Sequence, residues 1–335
     1  MGLRGFLQPR VVLVTATIAA AIASAVVGAQ QGQAPALPNF DAVTVRAFKV
    51  QANVYMLAGA GGNVTVQVGD DGVLVVDTQY AQMADKLLGE IARISGNKPI
   101  RYVINTHVHP DHVGGNERFR RAGLAIVAGN VAADVRGNEG ATLIAHENVA
   151  ARMSQLDGAT PAAPAAAMPT DTFFGDRDEV SFNGEAVRLI HQPAAHTDGD
   201  VMVFFRKSDV IATGDIYVNT NYPVVDVARG GTINGIIAGL NRIIDITVPH
   251  DKQEGGTMVI PGHGRIADEA DVVEYRDMVT IIRDRVEEMM KKGMTLQQIK
   301  AAGPTSDYDG RYAGASGLGT ADAFVESVYR TLGGK

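Results

Sequence analysis

The chain has no cysteine in its 335 residues. Disulfides, thiolate metal ligands and a cysteine nucleophile are therefore excluded. Positive charge is in the minority: 30 Lys and Arg stand against 37 Asp and Glu, for a formal net charge of −7. With no basic cluster either, the balance argues against nucleic acid or an anionic membrane surface as partner. No Gly-x-Ser-x-Gly elbow occurs, so a serine nucleophile of that type is not on offer. Long apolar runs are scarce as well. The one that stands out is Val11 to Val27, uncharged and rich in Ala and Val, behind Arg4 and Arg10.

That first stretch has the form of a signal peptide over residues 1–29, with Val27-Gly28-Ala29 as small residues for cleavage and Gln30 as the first mature residue. Its removal takes two Arg and no acid, which moves the formal charge from −7 to −9. The expected location is periplasmic or secreted, with no membrane attachment after cleavage. Residues 30–40 form a Gln/Ala/Pro linker, and 41–335 are read as a single domain with a C-terminal helical extension.

What is present is a cluster. Asn105-Thr106-His107-Val108-His109-Pro110-Asp111-His112-Val113-Gly114-Gly115 places three histidines and an aspartate within six residues. A chance His-x-His-x-Asp-His is expected on the order of once in a few thousand chains of this length, so a metal site is the reading. Ile100 to Ile104 precedes it as an apolar strand. If the extended path continues, His107 and His109 point to one side. Pro110 then bends the chain, and Asp111 and His112, being adjacent, leave in other directions. One short loop thus serves two ligand sets, as two neighbouring ions require.

Other strands are expected at Val43–Val50, Val54–Ala58, Val64–Val68 and Val73–Val76, the last ending in Asp77-Thr78. Asp77 reads equally as a carboxylate backing the site or as a cap for a helix over Gln79–Ser95. After the metal loop, a helix at Asn116–Ala122, a strand at Leu124–Ala128 and a helix over Gly140–Gln155 follow. Gly158 to Pro169 is an Ala/Pro-rich connector between two comparable halves. The second half repeats the order: strands at Glu179–Phe182, Ala186–His191, Val201–Phe205 and Val210–Ala212, then helices at Thr232–Ile246, Asp268–Lys292 and Asp322–Leu332. Strands then helices, twice over, suggest sheets inside and helices outside.

Further ligand candidates sit on loops at strand ends: His196 in His196-Thr197-Asp198-Gly199-Asp200, Asp215 in Gly214-Asp215, and His263 in Pro261-Gly262-His263-Gly264. In this order, with the early loop, they resemble the motifs of the metallo-β-lactamase superfamily from about Val54 to Gly264. The resemblance implies an α/β fold, a four-layer αββα sandwich of two similar halves. It implies that His107, His109 and His196 hold one metal, that Asp111, His112 and His263 hold a second, and that Asp215 bridges them. Asp111 is then the catalytic carboxylate that orients the attacking water. Two Zn²⁺ are expected, with Fe or Mn admitted by the same donors.

The implied activity is that of a secreted metallo-hydrolase whose metal-bound hydroxide cleaves an ester, lactone, thioester or amide/β-lactam bond in a small substrate. The bridging Asp follows the glyoxalase-II-like and lactonase-like branches, whereas several true β-lactamases carry Cys near that point. The alternative is an oxidoreductase resembling the persulfide dioxygenase branch, which uses one iron. Tyr217 and Asn221 are expected to face substrate, and Gly59-Ala60-Gly61-Gly62 to form either a flap over the metals or an ordinary hairpin. His146, His191 and His250 are read as structural or surface residues. Nothing in the sequence bears on oligomeric state.

Overall fold

A computed structural model describes residues 1–2, 37–125, 140–155, 162–252 and 255–334. Ala34–Lys335 is one compact unit. The signal-peptide reading and most of the linker fall outside the described residues, as do residues 126–139. Among the described residues, no helix is long and apolar enough to cross a membrane.

Two sheets carry the fold. The first has seven strands in chain order: β1 (Arg46–Gln51), β2 (Val54–Ala58), β3 (Val64–Gly69), β4 (Gly72–Val76), β5 (Ile100–Ile104), β6 (Thr142–His146) and β7 (Asp171–Phe173). Pairing is antiparallel from β1 to β4 and parallel from β4 to β7. The second has five strands: β8 (Arg177–Phe182), β9 (Glu185–Gln192), β10 (Asp200–Phe205), β11 (Val210–Ala212) and β12 (Met258–Ile260). Only β11 and β12 pair in parallel there.

Strand alternation builds the layers, because successive side chains leave opposite faces of a sheet. In β4, Leu74 and Val76 enter the core between the sheets, while Val73 and Val75 face outward onto helices. In β10, Val201, Val203 and Phe205 point to the same inter-sheet core and Met202 to the other side. The outer face of the first sheet is covered by α1 (Ala84–Ser95), which contributes Leu87 and Ile91; Phe119 of α3 (Asn116–Ala122), after the single turn α2 (Pro110–Val113), joins it. The outer face of the second sheet is covered by α5 (Ile233–Ile246) and α6 (Glu269–Lys291). On α6, Val272, Tyr275, Val279, Ile282 and Val286 recur at helical spacing and are buried. Asp268 and Asp271 form a reciprocal capping box at its start. The arrangement is the four-layer αββα sandwich, with halves that share a plan and differ in strand number.

Two expectations change. The stretch from Gly140 to Gln155 is not one helix: Thr142–His146 is strand β6 and only Glu147–Ser154 is helical, as α4. Leu143 to His146 is buried throughout in a parallel sheet, so it shows no alternation and reads like a buried helix turn. His146 caps α4 by accepting from the Asn148 N–H. The expected strand at Leu124–Ala128 is absent at Leu124 and Ala125, and its remainder lies outside the described residues. The described part of the connector contains a single 3-10 turn, Ala165–Ala167.

The inter-sheet core is the mechanical centre of this fold. Leu189→Ala, at a position with no solvent exposure in that core, should cost about 2–5 kcal/mol in urea unfolding. Phe48→Ala, at an exposed position, should change stability by less than about 0.5 kcal/mol. Equal effects at the two sites would contradict the layer assignment.

Candidate metal centre

The C-terminal ends of β4, β5, β9, β11 and β12 open at one edge of the sandwich. Each delivers part of the site, because parallel neighbours end on the same side. Asp77 and Thr78 follow β4. The segment from Asn105 to His109 follows β5, and Pro110 begins α2, which carries Asp111 and His112. His196 lies between β9 and β10, Asp215 on the turn after β11, and His263 just past β12. Backbone hydrogen bonds lock the two halves: Val201 N–H donates to the Thr106 carbonyl at 2.8 Å, and Asn63 N–H to the Gly262 carbonyl at 2.7 Å.

All seven of His107, His109, Asp111, His112, His196, Asp215 and His263 converge. Their donor atoms form three overlapping groups: His107, His109 and His196; His107, His112 and Asp215; Asp111, His112 and His263. Within each group the atoms lie within 4.8 Å of one another. Asp215 straddles the groups. Its Oδ1 is 3.2 Å from His112 Nε2 and 3.5 Å from His263 Nε2, while its Oδ2 faces His196 Nε2 at 3.8 Å. Asp111 Oδ2 lies 3.3 Å from His263 Nε2.

The outward ring nitrogens show how the imidazoles are set. His112 Nδ1 donates to Asp77 Oδ2 at 2.8 Å. Thr106 Oγ1 gives its hydrogen to the same carboxylate at 2.7 Å and so accepts from His107 Nδ1 at 3.0 Å. His196 Nδ1 donates to the Val224 carbonyl at 2.6 Å, and His109 Nε2 to Asp226 Oδ2 at 2.8 Å. When these rings are neutral, each spends its one N–H on an outer acceptor, which leaves a lone pair facing inward. In that state His196 Nε2 and His109 Nδ1 face each other as lone pairs at 2.8 Å. His107 Nε2 and Asp215 Oδ1 are buried with no hydrogen-bond partner. Nitrogen and oxygen ligand atoms gathered this closely, with the rings held by outer partners, fit metal cations.

Titration follows the same geometry. Burial holds His107 well below the ordinary imidazole range and His196 down to about 4. Burial also opposes charge on His112 and His263, but Asp215 and its fellow carboxylates prevail. They raise His112 well above its ordinary value and His263 to about 9. Burial pushes the two acids upward, yet the neighbouring histidines win, holding Asp215 well below the carboxylate range and Asp111 at about 2. Without metal the second group therefore keeps protons that a cation has to displace.

Asp77 sits beneath the site, buried and in left-handed backbone at φ 64°. It both orients His112 and receives Thr106, and it caps no helix. Two glycines are required by close approach. A Cβ at Gly62 would lie 2.2 Å from the His112 ring, and one at Gly262 would lie 2.0 Å from Asp215 Oδ1. The Gly59–Gly62 turn is tied down: Gly62 N–H donates to the Asp111 carbonyl and Gln79 Nε2 to the Gly62 carbonyl. That is a packed turn beside the ligands.

Beside the ligands opens a cavity of about 370 Å³ bounded by Asp111, Asn221, Val218, Val224 and Leu318. Asn221 faces it. Tyr217 does not: extended backbone after the 3-10 turn sends its ring into the helical core, edge-on to Tyr275 at 5.3 Å. His146 and His191 stack on each other at 3.6 Å away from the ligand groups, and His250 is exposed. Asp226 and Thr106, which set His109 and His107, were not singled out in the sequence. Thr106 lies inside the motif, but no spacing or composition signal marks Asp226.

Two outcomes follow from these contacts. Asp77→Ala should weaken metal affinity about 10–100-fold, read by competition with a chromophoric chelator; unchanged affinity would remove its orienting role. Because His263 holds its proton up to about 9 in the metal-free protein, apparent affinity should rise with pH from neutrality toward about 9. Calorimetry at neutral pH in buffers of different ionisation enthalpy should show proton release on metal binding; no release would contradict the charge assignment.

Comparisons with known proteins find relatives of this chain and of its fold. A linear primary-alkylsulfatase of Pseudomonas sp. (strain ATCC 19151) is 25% identical over 259 residues, covering 68% of this chain and 47% of that protein. The 2,4-dinitroanisole O-demethylase subunit alpha of Nocardioides sp. (strain JS1661) is 30% identical over 156 residues, 44% of this chain and 41% of that one. The chain thus spans about half the length or less of these two curated relatives. The stereoselective inverting sec-alkylsulfatase Pisa1 from Pseudomonas sp. shares the fold, with a TM-score of 0.59 at 17% identity over 87% of this chain and 50% of its own. DIM-1 metallo-beta-lactamase does so with a TM-score of 0.51 at 16% identity, over 71% of this chain and 98% of its own. The family profile of the metallo-beta-lactamase superfamily matches residues 57–268, the span that holds all seven ligand candidates, and the chain belongs to that superfamily.

Proposed function

We propose that this chain is an exported dinuclear zinc hydrolase that cleaves an ester, lactone, thioester or amide/β-lactam bond in a small substrate. The alkylsulfatase relatives add a sulfuric ester to the bonds worth testing. The observation that carries the reading is the convergence of seven His and Asp side chains in three overlapping groups, with His109 Nδ1 and His196 Nε2 2.8 Å apart behind outer partners at Asp226 and Val224. Such a cluster suits a cation. The overlapping group around His112 and Asp215 supports a second. His107, His109 and His196 are assigned to one ion, Asp111, His112 and His263 to the other, and Asp215 to both. Donors that are all imidazole nitrogen and carboxylate oxygen suit Zn²⁺ and also admit Fe or Mn. When bound, the ions supply Lewis acidity and a hydroxide at neutral pH.

The chain's own residues do the rest. Asp111 is ionised far below neutral pH, with its carboxyl at about 2. It is too weak a base to deprotonate free water, so its work is to hold a ligand position and accept a hydrogen bond from the attacking water. Asp215 keeps the two donor groups at a fixed separation by presenting one oxygen to each. Asp77 and Asp226 hold the His112 and His109 rings. Val218, Val224 and Leu318 give the cavity an apolar wall, which strengthens the polar interactions opposite. Asn221 supplies an amide on that wall. Export rests on the basic and apolar order of the first 29 residues.

Purified processed protein should contain two zinc per chain, and its N-terminus should be Gln30 by mass spectrometry. It should hydrolyse at least one of nitrocefin, an acyl lactone, a thioester, p-nitrophenyl acetate or a linear alkyl sulfate. Asp111→Ala should lower kcat on the order of 10²–10⁴-fold. One iron per chain with O₂ consumption would replace hydrolysis by the dioxygenase reading, and full activity in D111A would remove Asp111 from the reaction.

A further inference from the structure

A second concavity of about 360 Å³ lies alongside the metal cavity, and His109 and Pro110 line both. Its apolar lining is Val108, Val113, Met153, Ala163 and Pro164, with Glu117, Arg152, Gln155 and Arg229 beside them. Met153 belongs to a small hydrophobic cluster with Ala145 and Val149, against which Val108, Val113 and Ala163 pack. That cluster stands apart from the three large cores, so this patch is not a leak from the interior of the sandwich.

The charged residues around the groove are matched. Arg152 pairs with Asp198 at 2.7 Å and Arg229 with Asp226 at 2.8 Å, while Glu117 pairs with Arg121 at 2.6 Å. No excess of either sign remains to attract an ionic group. A neutral hydrocarbon is the chemistry such a surface accepts.

We propose that this groove is the subsite for a neutral apolar chain of the substrate, which crosses the His109–Pro110 ridge while the scissile ester-type group sits at the ligand cluster. The assignment rests on the hydrolase reading above. It adds that reaction rate depends on the length of the chain remote from the bond being cut. It also places selectivity on residues outside the superfamily's metal motifs, chiefly Met153 and Ala163. Atoms that do not react contribute by burial at a distance from the chemistry.

The test uses the zinc-loaded full chain and p-nitrophenyl esters from acetate to decanoate. For the wild type, kcat/KM should climb about threefold per added methylene until the groove is filled. Ala163→Asp, which puts a carboxylate in the groove, and Ala163→Trp, which fills it, should both flatten that slope and leave acetate turnover unchanged. Ala163 is partly exposed and makes no contact with the ligand residues' hydrogen-bond chain, and melting temperature checks that both variants fold. A slope that is flat in the wild type, or unchanged from the wild type in both variants, overturns the subsite. A second arm is independent of turnover: the neutral probe N-phenyl-1-naphthylamine should bind the wild type and bind A163D about tenfold more weakly. If neither these esters nor any of the lactam, lactone, thioester and alkyl sulfate substrates is turned over but that difference appears, the hydrolase reading fails and the groove stands. If binding is equal in the two proteins, the groove assignment fails whatever is hydrolysed.

Discussion

Two imidazole nitrogens held 2.8 Å apart, each ring anchored from behind, is the constraint on which this structure turns. His109 and His196 arrive from different sheets, and each has its N–H taken by an outer acceptor, Asp226 Oδ2 for one and the Val224 carbonyl for the other. With both rings neutral the facing lone pairs repel, and Asp215 Oδ1 beside them is buried against the His112 and His263 rings. A protein can keep such an arrangement if protons or cations enter it. The wiring decides between these. On the side of His107 and His196, burial drives protons off; on the side of His112 and His263, the acids hold them. Cations would serve both sides at once, displacing protons from the second.

The layered fold makes that convergence possible by ending strands together. β4 and β5 run in parallel, as do β11 and β12, so their C-terminal loops emerge at one edge. Cross-links such as Val201 N–H to the Thr106 carbonyl join the halves at the ligands themselves. The inter-sheet core then acts on the site from below: a shift between the sheets moves His196, Asp215 and His263 against His107, His109 and His112. Stiffness is reinforced at Gly62 and Gly262, where a single methyl would overlap a ligand. Stability and metal geometry are thus coupled through the same contacts.

The ligands were readable because coordination chemistry restricts them to a few residue types at strand ends, and the loop from His107 to His112 concentrates four of them. The strands were readable where apolar and polar residues alternate along the chain, as in Val64–Val68, although Thr65 and Gln67 are buried as well. β6 was not, because its apolar run Leu143–Ala145 shows no period, and a neighbouring helix absorbs it. Tyr217 was placed in the pocket on its nearness to Asp215, but the backbone between them turns, and sequence distance carries no direction. Asp77 stood between two roles in the sequence. Its left-handed backbone, reached at the end of β4, decides for the site, since there its carboxylate is aimed at Thr106 and His112 and at no helix terminus. Asp226 could be found only in three dimensions, because its role depends on the path of the chain back to His109 over 117 positions.

This division has a physical reason. Metal ligation needs particular donors at set spacings, so it leaves a motif. Substrate recognition by apolar surface needs only area and shape, which many residues supply and no motif records. Here the ligand-bearing loops come from both sheets, whereas the neighbouring apolar groove is made by α2, α4 and the connector that follows it, elements with different tasks in the fold. Chains could therefore hold the metal centre constant while exchanging α4 and the connector to accept other substrates. On that argument the identity of the metal-binding residues carries almost no information about substrate size, and Met153 and Ala163 carry a good deal.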